Sequence, residues 1–307
     1  MSEKILIISG PTASGKSALA LQLANLRDIA IINADSLQIY EGLPILSSQP
    51  TNSEQKKAPH FLYSHFKAYE TSSVGKWLEL VKSIVEDVIS QKKLPVIVGG
   101  SGMYISKLVD GISKIPEVSE DVRKEAIELY EKLGHQEFLQ KYGDGKIIDP
   151  QRLIRACAVF LQSGKTMEFW HSQPNEKIFP EAKFTHINLE PNRKKLYENC
   201  NLRFSEMLKN GAIEEVENLI KETLKADLSA EASAKADDWQ ITKTLGFAEI
   251  RNLLQGEMNK EEMLEIARQK TRNYAKRQLT WFRNQFADKQ VFASADEALI
   301  FLKNNEI

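Results

Sequence analysis

Residues Gly10 to Ser17 read "GPTASGKS", which is the spacing G-x-x-x-x-G-K-S. Glycines at these positions let backbone N–H groups turn inward onto phosphate oxygens, with the positive N-terminus of the next helix behind them. All eight residues, Gly10, Pro11, Thr12, Ala13, Ser14, Gly15, Lys16 and Ser17, are therefore assigned to a cradle for a diphosphate or polyphosphate. Lys16 is suited to neutralise charge between two phosphates, and the Ser17 hydroxyl to ligate Mg2+. The motif specifies phosphates and not the molecule that carries them.

Asp35, in "NADSLQIY", follows a second apolar run. The carboxyl ends of parallel strands open onto the ligand crevice, so this carboxylate is expected beside the phosphates, where a general base belongs. An N-cap for the segment that follows is the plainer alternative. "GGSGMY" ends a third run, and its paired glycines fit either a close backbone approach or an ordinary turn. Arg152 and Arg155 in "QRLIRACAVF" share one helix face. Near the C-terminus, Arg268, Arg272 and Lys276 recur every four residues, with Arg283 seven further on. That stripe, with Lys270 and Arg277 beside it and no acid within it, suits an acidic partner such as RNA.

Positioning these groups requires strands that deliver them to one edge. "KILIISG", "IAIINADS" (Ile29 to Ser36) and "LPVIVGGSGMY" (Leu94 to Tyr104) are continuous apolar runs, the pattern of strands buried on both faces. "SALALQLANL" and "VGKWLELVKSIVEDVISQKK" between them have helical character. The alternation predicts an α/β fold, a P-loop kinase-like parallel sheet with helices on both faces. After Gly111 helical segments follow one another until "FTHINLEP" (Phe184 to Pro191) resumes the strand pattern. A helical insertion over 114–181 is expected inside a catalytic core formed by 1–113 and 182–307, with a mostly helical C-terminal region. "LKADLSAEASAKADD" (Leu224 to Asp238) reads as a solvated loop or frayed helix.

Bulk properties narrow the class. The chain has 307 residues, enough for one large or two modest domains, and 42% hydrophobic with 27% charged residues is ordinary for a globular protein. A net charge of −1 excludes a globally basic nucleic-acid binder, though not a local basic face. Cys157 and Cys200 are too far apart for a C-x-x-C pair and read as buried thiols. No apolar run nears the roughly 18 residues of a membrane span, and "MSEKILIISG" lacks the build of a signal peptide. A cytoplasmic protein with no membrane contact is expected.

Seven blocks together resemble one family, the bacterial tRNA dimethylallyltransferases: "GPTASGKS", "DSLQIY", "VGGSGMY", "DPQRLIRA", "RFSEMLKNGAIEEV", "LGFAEI" and "RNYAKRQLTWFR". They stand in the family's order and span nearly the whole chain. The resemblance implies that the loop holds the diphosphate of dimethylallyl diphosphate, with Mg2+ as cofactor. The dimethylallyl group then passes to N6 of the adenosine 3′ to the anticodon, in tRNAs reading codons that begin with U. It makes Asp35 the base, and Thr12 and Arg203 catalytic contacts of the leaving diphosphate. RNA contacts carry over to Asp35, Ser36, Leu37, Gln38, Ser101, Arg123, Gln151, Arg152, Leu153, Ile154, Arg155, Lys243, Lys276, Arg277, Gln278 and Arg283. The implied partner is the anticodon stem-loop of tRNA, its target base flipped into the pocket, and the protein is expected to be a monomer. The chain departs from the family at Leu43 to Pro50, "LPILSSQP" for D-I-G-T-A-K-P, and at "GFAE" for G-Y-R-E, which puts Phe247 and Ala248 where the family has Tyr and Arg. The C-terminal zinc finger of eukaryotic relatives is absent from this sequence.

Two rivals share parts of the pattern. A P-loop nucleotide or small-molecule kinase would use the same loop and an Asp after the second strand, but has no use for a basic, aromatic C-terminal helix. A non-catalytic RNA-binding protein would have no reason to keep Lys16, Ser17 and Asp35.

Overall fold

The computed structural model describes residues 3–143, 148–226 and 239–305. Six strands are found among them: β1 Lys4–Ser9, β2 Ile29–Asn33, β3 His60–Phe61, β4 Leu94–Gly99, β5 Lys183–Leu189 and β6 Gln290–Phe292. They form one parallel sheet in the order β3-β2-β4-β1-β5-β6. Ile5, Leu6, Ile7 and Ile8 of β1 are all fully buried. Successive strand side chains point to opposite faces, so both faces of the sheet are covered.

Each strand delivers its end to the same edge, and helices leave from there. Helix α1 (Lys16–Ala24) starts from Gly15, whose φ of 98° lies in the left-handed region that glycine enters without strain. Four-residue helix α2 (Asn52–Gln55) is closed by a Thr51–Glu54 capping box. Helix α3 (Val74–Ser90) is capped by Ser73 and buries Trp77, Leu78, Val81, Val85 and Val88 at helical spacing. Trp77 Nε1 donates to Asn33 O at 2.8 Å, which ties the helix to the end of β2.

Strand β4 is left at the Gly99–Gly100 pair, as its run suggested. It stops at Gly99, and α4 (Gly102–Asp110) takes up the remainder. A Cβ on Gly99 would lie 2.0 Å from Ala34 O, so the two strand ends touch through backbone and diverge there. "GGSGMY" is thus a close approach between elements. The C-terminal region also holds more than helices, because β6 extends the sheet beyond β5.

The chain divides into two compact units, 1–109 with 179–307, and 110–178. These breaks fall a few residues before those read from the sequence. The smaller unit holds α5 (Glu120–Tyr142), α6 (Pro150–Ser163) and α7 (Met167–Ser172). Its core is Ala126, Phe138, Leu153, Cys157 and Ala158. Gly134, with φ 69° and ψ 166°, breaks α5 into two helical segments. Asp149 caps α6, Pro150 opens it and Gly164 closes it in the left-handed conformation. In the larger unit follow α8 (Arg193–Lys209), α9 (Ala212–Ala226), a 3-10 turn at Gln240–Lys243, α10 (Phe247–Leu254), α11 (Lys260–Asn284) and α12 (Ala295–Asn304). Helix α9 takes in the first residues of the polar segment 224–238, and the rest of that segment lies outside the described residues.

Candidate active site

The loop between β1 and α1 is held from several directions. Lys16 Nζ donates to Gly10 O at 3.0 Å and to Pro11 O at 2.7 Å, closing the loop on itself. Ala13 has a φ of 61°, uncommon for a residue with a Cβ and typical of a backbone nest that gathers N–H groups. Asn199 of α8 donates to Ala13 O at 3.2 Å. Ser14 Oγ is buried and finds no protein partner, so a polar atom inside the loop awaits one. Burial and the neighbouring Arg203 lower the Lys16 pKa to about 7.

Asp35 caps a turn and borders a cavity. Its Oδ1 accepts the N–H of Leu37 at 3.0 Å and the more distant one of Gln38 at 3.5 Å, so it caps a turn, although no helix follows. The residue also lines the cavity above the phosphate loop. Asn33 fixes it there: Asp35 N–H donates to Asn33 Oδ1, and Asn33 Nδ2 donates to the carbonyls of Asp35 and Leu62. Ser36 N–H donates to Ser101 Oγ at 2.9 Å, joining the ends of β2 and β4.

Arg203 reaches into the site from α8. Its Nη1 donates to Thr12 Oγ1 at 3.2 Å and its Nε to Ser48 Oγ at 2.7 Å. Desolvation lowers its pKa, opposed by the charge of Asp35. Thr12, Lys16, Asp35 and Arg203 together border one cavity of about 390 Å3, which also takes in Gly100, Leu37, Phe204 and Tyr274. A second cavity of about 450 Å3 shares Ala13, Lys16, Ser17, Tyr63 and Arg203 with it.

The sequence model of the IPP transferase family matches residues 38–285. The chain belongs to the IPP transferase family. It is 39% identical over 293 residues to a tRNA dimethylallyltransferase of Caulobacter sp. (strain K31), covering 93% of this chain and 91% of that one. The crystal structure of a full-length tRNA isopentenylpyrophosphate transferase from Bacillus halodurans superposes with a TM-score of 0.69 at 26% identity, over 99% of this chain and 95% of that one. A eukaryotic dimethylallyltransferase acting on tRNA shares the fold, with a TM-score of 0.80 at 22% identity over 100% of this chain and 81% of that one.

Residues inferred from the likeness to IPP transferases fall into different places. Thr12, Lys16, Asp35 and Arg203 converge on one cavity, as just described. Lys243, Lys276 and Arg277 are exposed on the same unit, with the Arg277 guanidinium 5.6 Å from the Tyr274 ring centroid. Arg123, Gln151, Arg152 and Arg155 are exposed on the smaller unit. Leu153 is not: it is fully buried in that unit's core, and Ile154 packs against the same core. Their helix offers its polar face outward; the Leu153 side chain is no surface contact, and Ile154 is only partly exposed. Gln278 is buried as well. It accepts from Thr12 N–H at 2.8 Å through Oε1 and donates to Gly100 O at 2.9 Å through Nε2. A Cβ on Gly100 would lie 2.4 Å from that Nε2, which explains the second glycine of the pair.

Most of the basic stripe is engaged within the fold. Arg268 donates to Ser205 and Arg272 to Asn201, both on α8. Lys270 pairs with the buried carboxylate of Glu249, and Arg283 with Glu190 at 2.6 Å. Phe247 is buried, so the missing hydroxyl at that position faces the interior.

The divergent segment 43–50 has its own supports, which sequence reasoning missed. Glu215 accepts the N–H groups of Ile45 and Leu46 with its two oxygens, at 2.7 and 2.8 Å. Gln38 Nε2 donates to Ser47 O and Ser48 O. Ser48 adopts a φ of 59° and presents its hydroxyl to Arg203. The position of this segment just after "DSLQIY" was the available signal.

Proposed function

We infer that this chain transfers a dimethylallyl group from dimethylallyl diphosphate to N6 of the adenosine 3′ to the anticodon in tRNAs reading codons that begin with U. The observation that carries the reading is the convergence of Thr12, Lys16, Asp35 and Arg203 on one cavity, with Arg203 bonded to Thr12. In the step, the N6–C1 bond forms as the C1–O bond breaks, and the electron pair of that bond leaves with diphosphate. Backbone N–H groups of the loop, Lys16 and Arg203 stabilise the departing charge. Asp35 accepts the proton from N6.

Ser17 lies exposed in the first turn of α1 and borders the cavity, a position suited to Mg2+. Among the described residues no three His, Cys, Asp or Glu side chains cluster as a metal site. A Mg2+ held by Ser17 would draw its other ligands from diphosphate oxygens and water, as Mg2+ commonly does. Such an ion supplies further charge neutralisation on the leaving group.

The RNA partner is the anticodon stem-loop. Lys243, Lys276, Arg277 and, on the smaller unit, Arg123, Gln151, Arg152 and Arg155 provide the exposed polar and basic groups for it. No helix among the described residues is long and apolar enough to cross a membrane.

The test is transfer of label from dimethylallyl diphosphate to unmodified tRNA with Mg2+ and without ATP. Label should appear in RNA as N6-dimethylallyladenosine. A requirement for ATP, or no incorporation, would remove this reading in favour of a P-loop kinase.

A further inference from the structure

Five residues border both cavities: Ala13, Lys16, Ser17, Arg203 and Tyr63. The first four belong to the diphosphate cradle or bond to it. Tyr63 is different, a large half-buried ring that packs on the core beneath α1. Its backbone is held in an unusual way. Leu62 and Ser64, on either side, have φ values of 62° and 44°, left-handed conformations that cost energy in residues with a Cβ. Asn33 holds the Leu62 carbonyl, Gln38 O accepts from Ser64 N–H, and Ser64 Oγ donates to Gln49 at 2.6 Å. The His60 ring lies 5.7 Å away, centroid to centroid. Burial and the nearby Asp35 charge raise the phenol's pKa, so the ring stays neutral beside the phosphates.

We propose that Tyr63 is the wall that limits the length of the allylic chain. This rests on the reading above, in which diphosphate lies on the loop and C1 faces Asp35. The isoprenoid group then extends from a cradle open to both cavities, and Tyr63 is the one bulky apolar side chain at their junction. Its ring borders both the 390 Å3 space and the 450 Å3 space. Truncation opens the second space to an allylic diphosphate one C5 unit longer. Strained flanking residues fit a ring whose position matters more than its burial.

The experiment measures kcat/KM with dimethylallyl and geranyl diphosphates for the wild type, Tyr63→Ala, Tyr63→Leu and Tyr63→Phe, using unmodified tRNA. The wild type should strongly prefer the shorter donor, and Tyr63→Phe should keep that preference. Tyr63→Ala and Tyr63→Leu should raise kcat/KM for geranyl diphosphate itself by about tenfold or more, in line with the selectivity of apolar pockets. Leu retains an apolar side chain on the core and decides the matter if the Ala variant melts early. Geranyl transfer unchanged in the folded variants, or a wild type indifferent to chain length, overturns the proposal while leaving the prenyl-transfer reading intact. A wild type inert with both donors overturns that reading, and this proposal with it.

Discussion

In the proposed reaction Asp35 has two tasks, and they separate by atom. Oδ1 caps the turn at Leu37 and Gln38, leaving base chemistry to the remainder of the carboxylate. Asp35→Asn retains an acceptor for the cap and removes the base. Its transfer rate should fall by about 10²–10⁴-fold with the melting temperature unchanged, whereas Asp35→Ala should also melt earlier. Lys16 gives a pH-dependent signature. Its pKa in the folded chain is lowered to about 7 from 10.5, so between those values the unfolded chain binds the extra proton. Stability therefore rises with pH across that window. Bound diphosphate reverses the shift by supplying negative charge. Calorimetry above pH 7, in buffers of different ionisation enthalpy, should show proton uptake when inorganic diphosphate binds, and Lys16→Met should lose it.

Helix α11 looked from its sequence like a surface for RNA; part of its basic stripe packs on α8, and Gln278 braces the Gly10–Ser17 loop. A repeat of basic residues every four positions defines a helix face without saying what lies opposite. Here α8 lies opposite Arg268 and Arg272, offering Ser205 and Asn201. Gln278 lies six residues beyond Arg272 and bridges Thr12 and Gly100. Gln278→Ala leaves a loop N–H and a buried carbonyl without this partner, a loss of about 1–3 kcal/mol. Denaturant melts should register it. KM for dimethylallyl diphosphate should rise while tRNA affinity stays within about twofold; the opposite pattern would return Gln278 to the RNA surface.

Over the whole molecule, a net charge of −1 leaves RNA binding to a few exposed cations. Removing Lys276 and Arg277 together, as Gln, should flatten the slope of log affinity against log salt by about two, roughly one per phosphate contact. Arg283→Gln should change it less, because Glu190 already pairs with that guanidinium. Filter binding at several salt concentrations distinguishes these outcomes.

The sequence by itself determined the parallel sheet, the glycine-rich loop after the first strand and the carboxylate just past the end of the second. These follow from short-range chemistry: continuous apolar runs, glycine spacing and a polar residue where a buried strand emerges. The helical stretch that became the smaller unit was legible for the same reason. Tertiary structure alone decided which polar side chains remained available. Gln278, Leu153 and Arg272 carry the same residue types wherever they lie, and only the packing of distant segments turned them inward. It also decided how "LPILSSQP" is held, through Glu215 and Arg203 from far along the chain. The "GPTASGKS" cradle was readable because its bonds close largely within eight residues, whereas the groups that brace it arrive from more than 180 residues away.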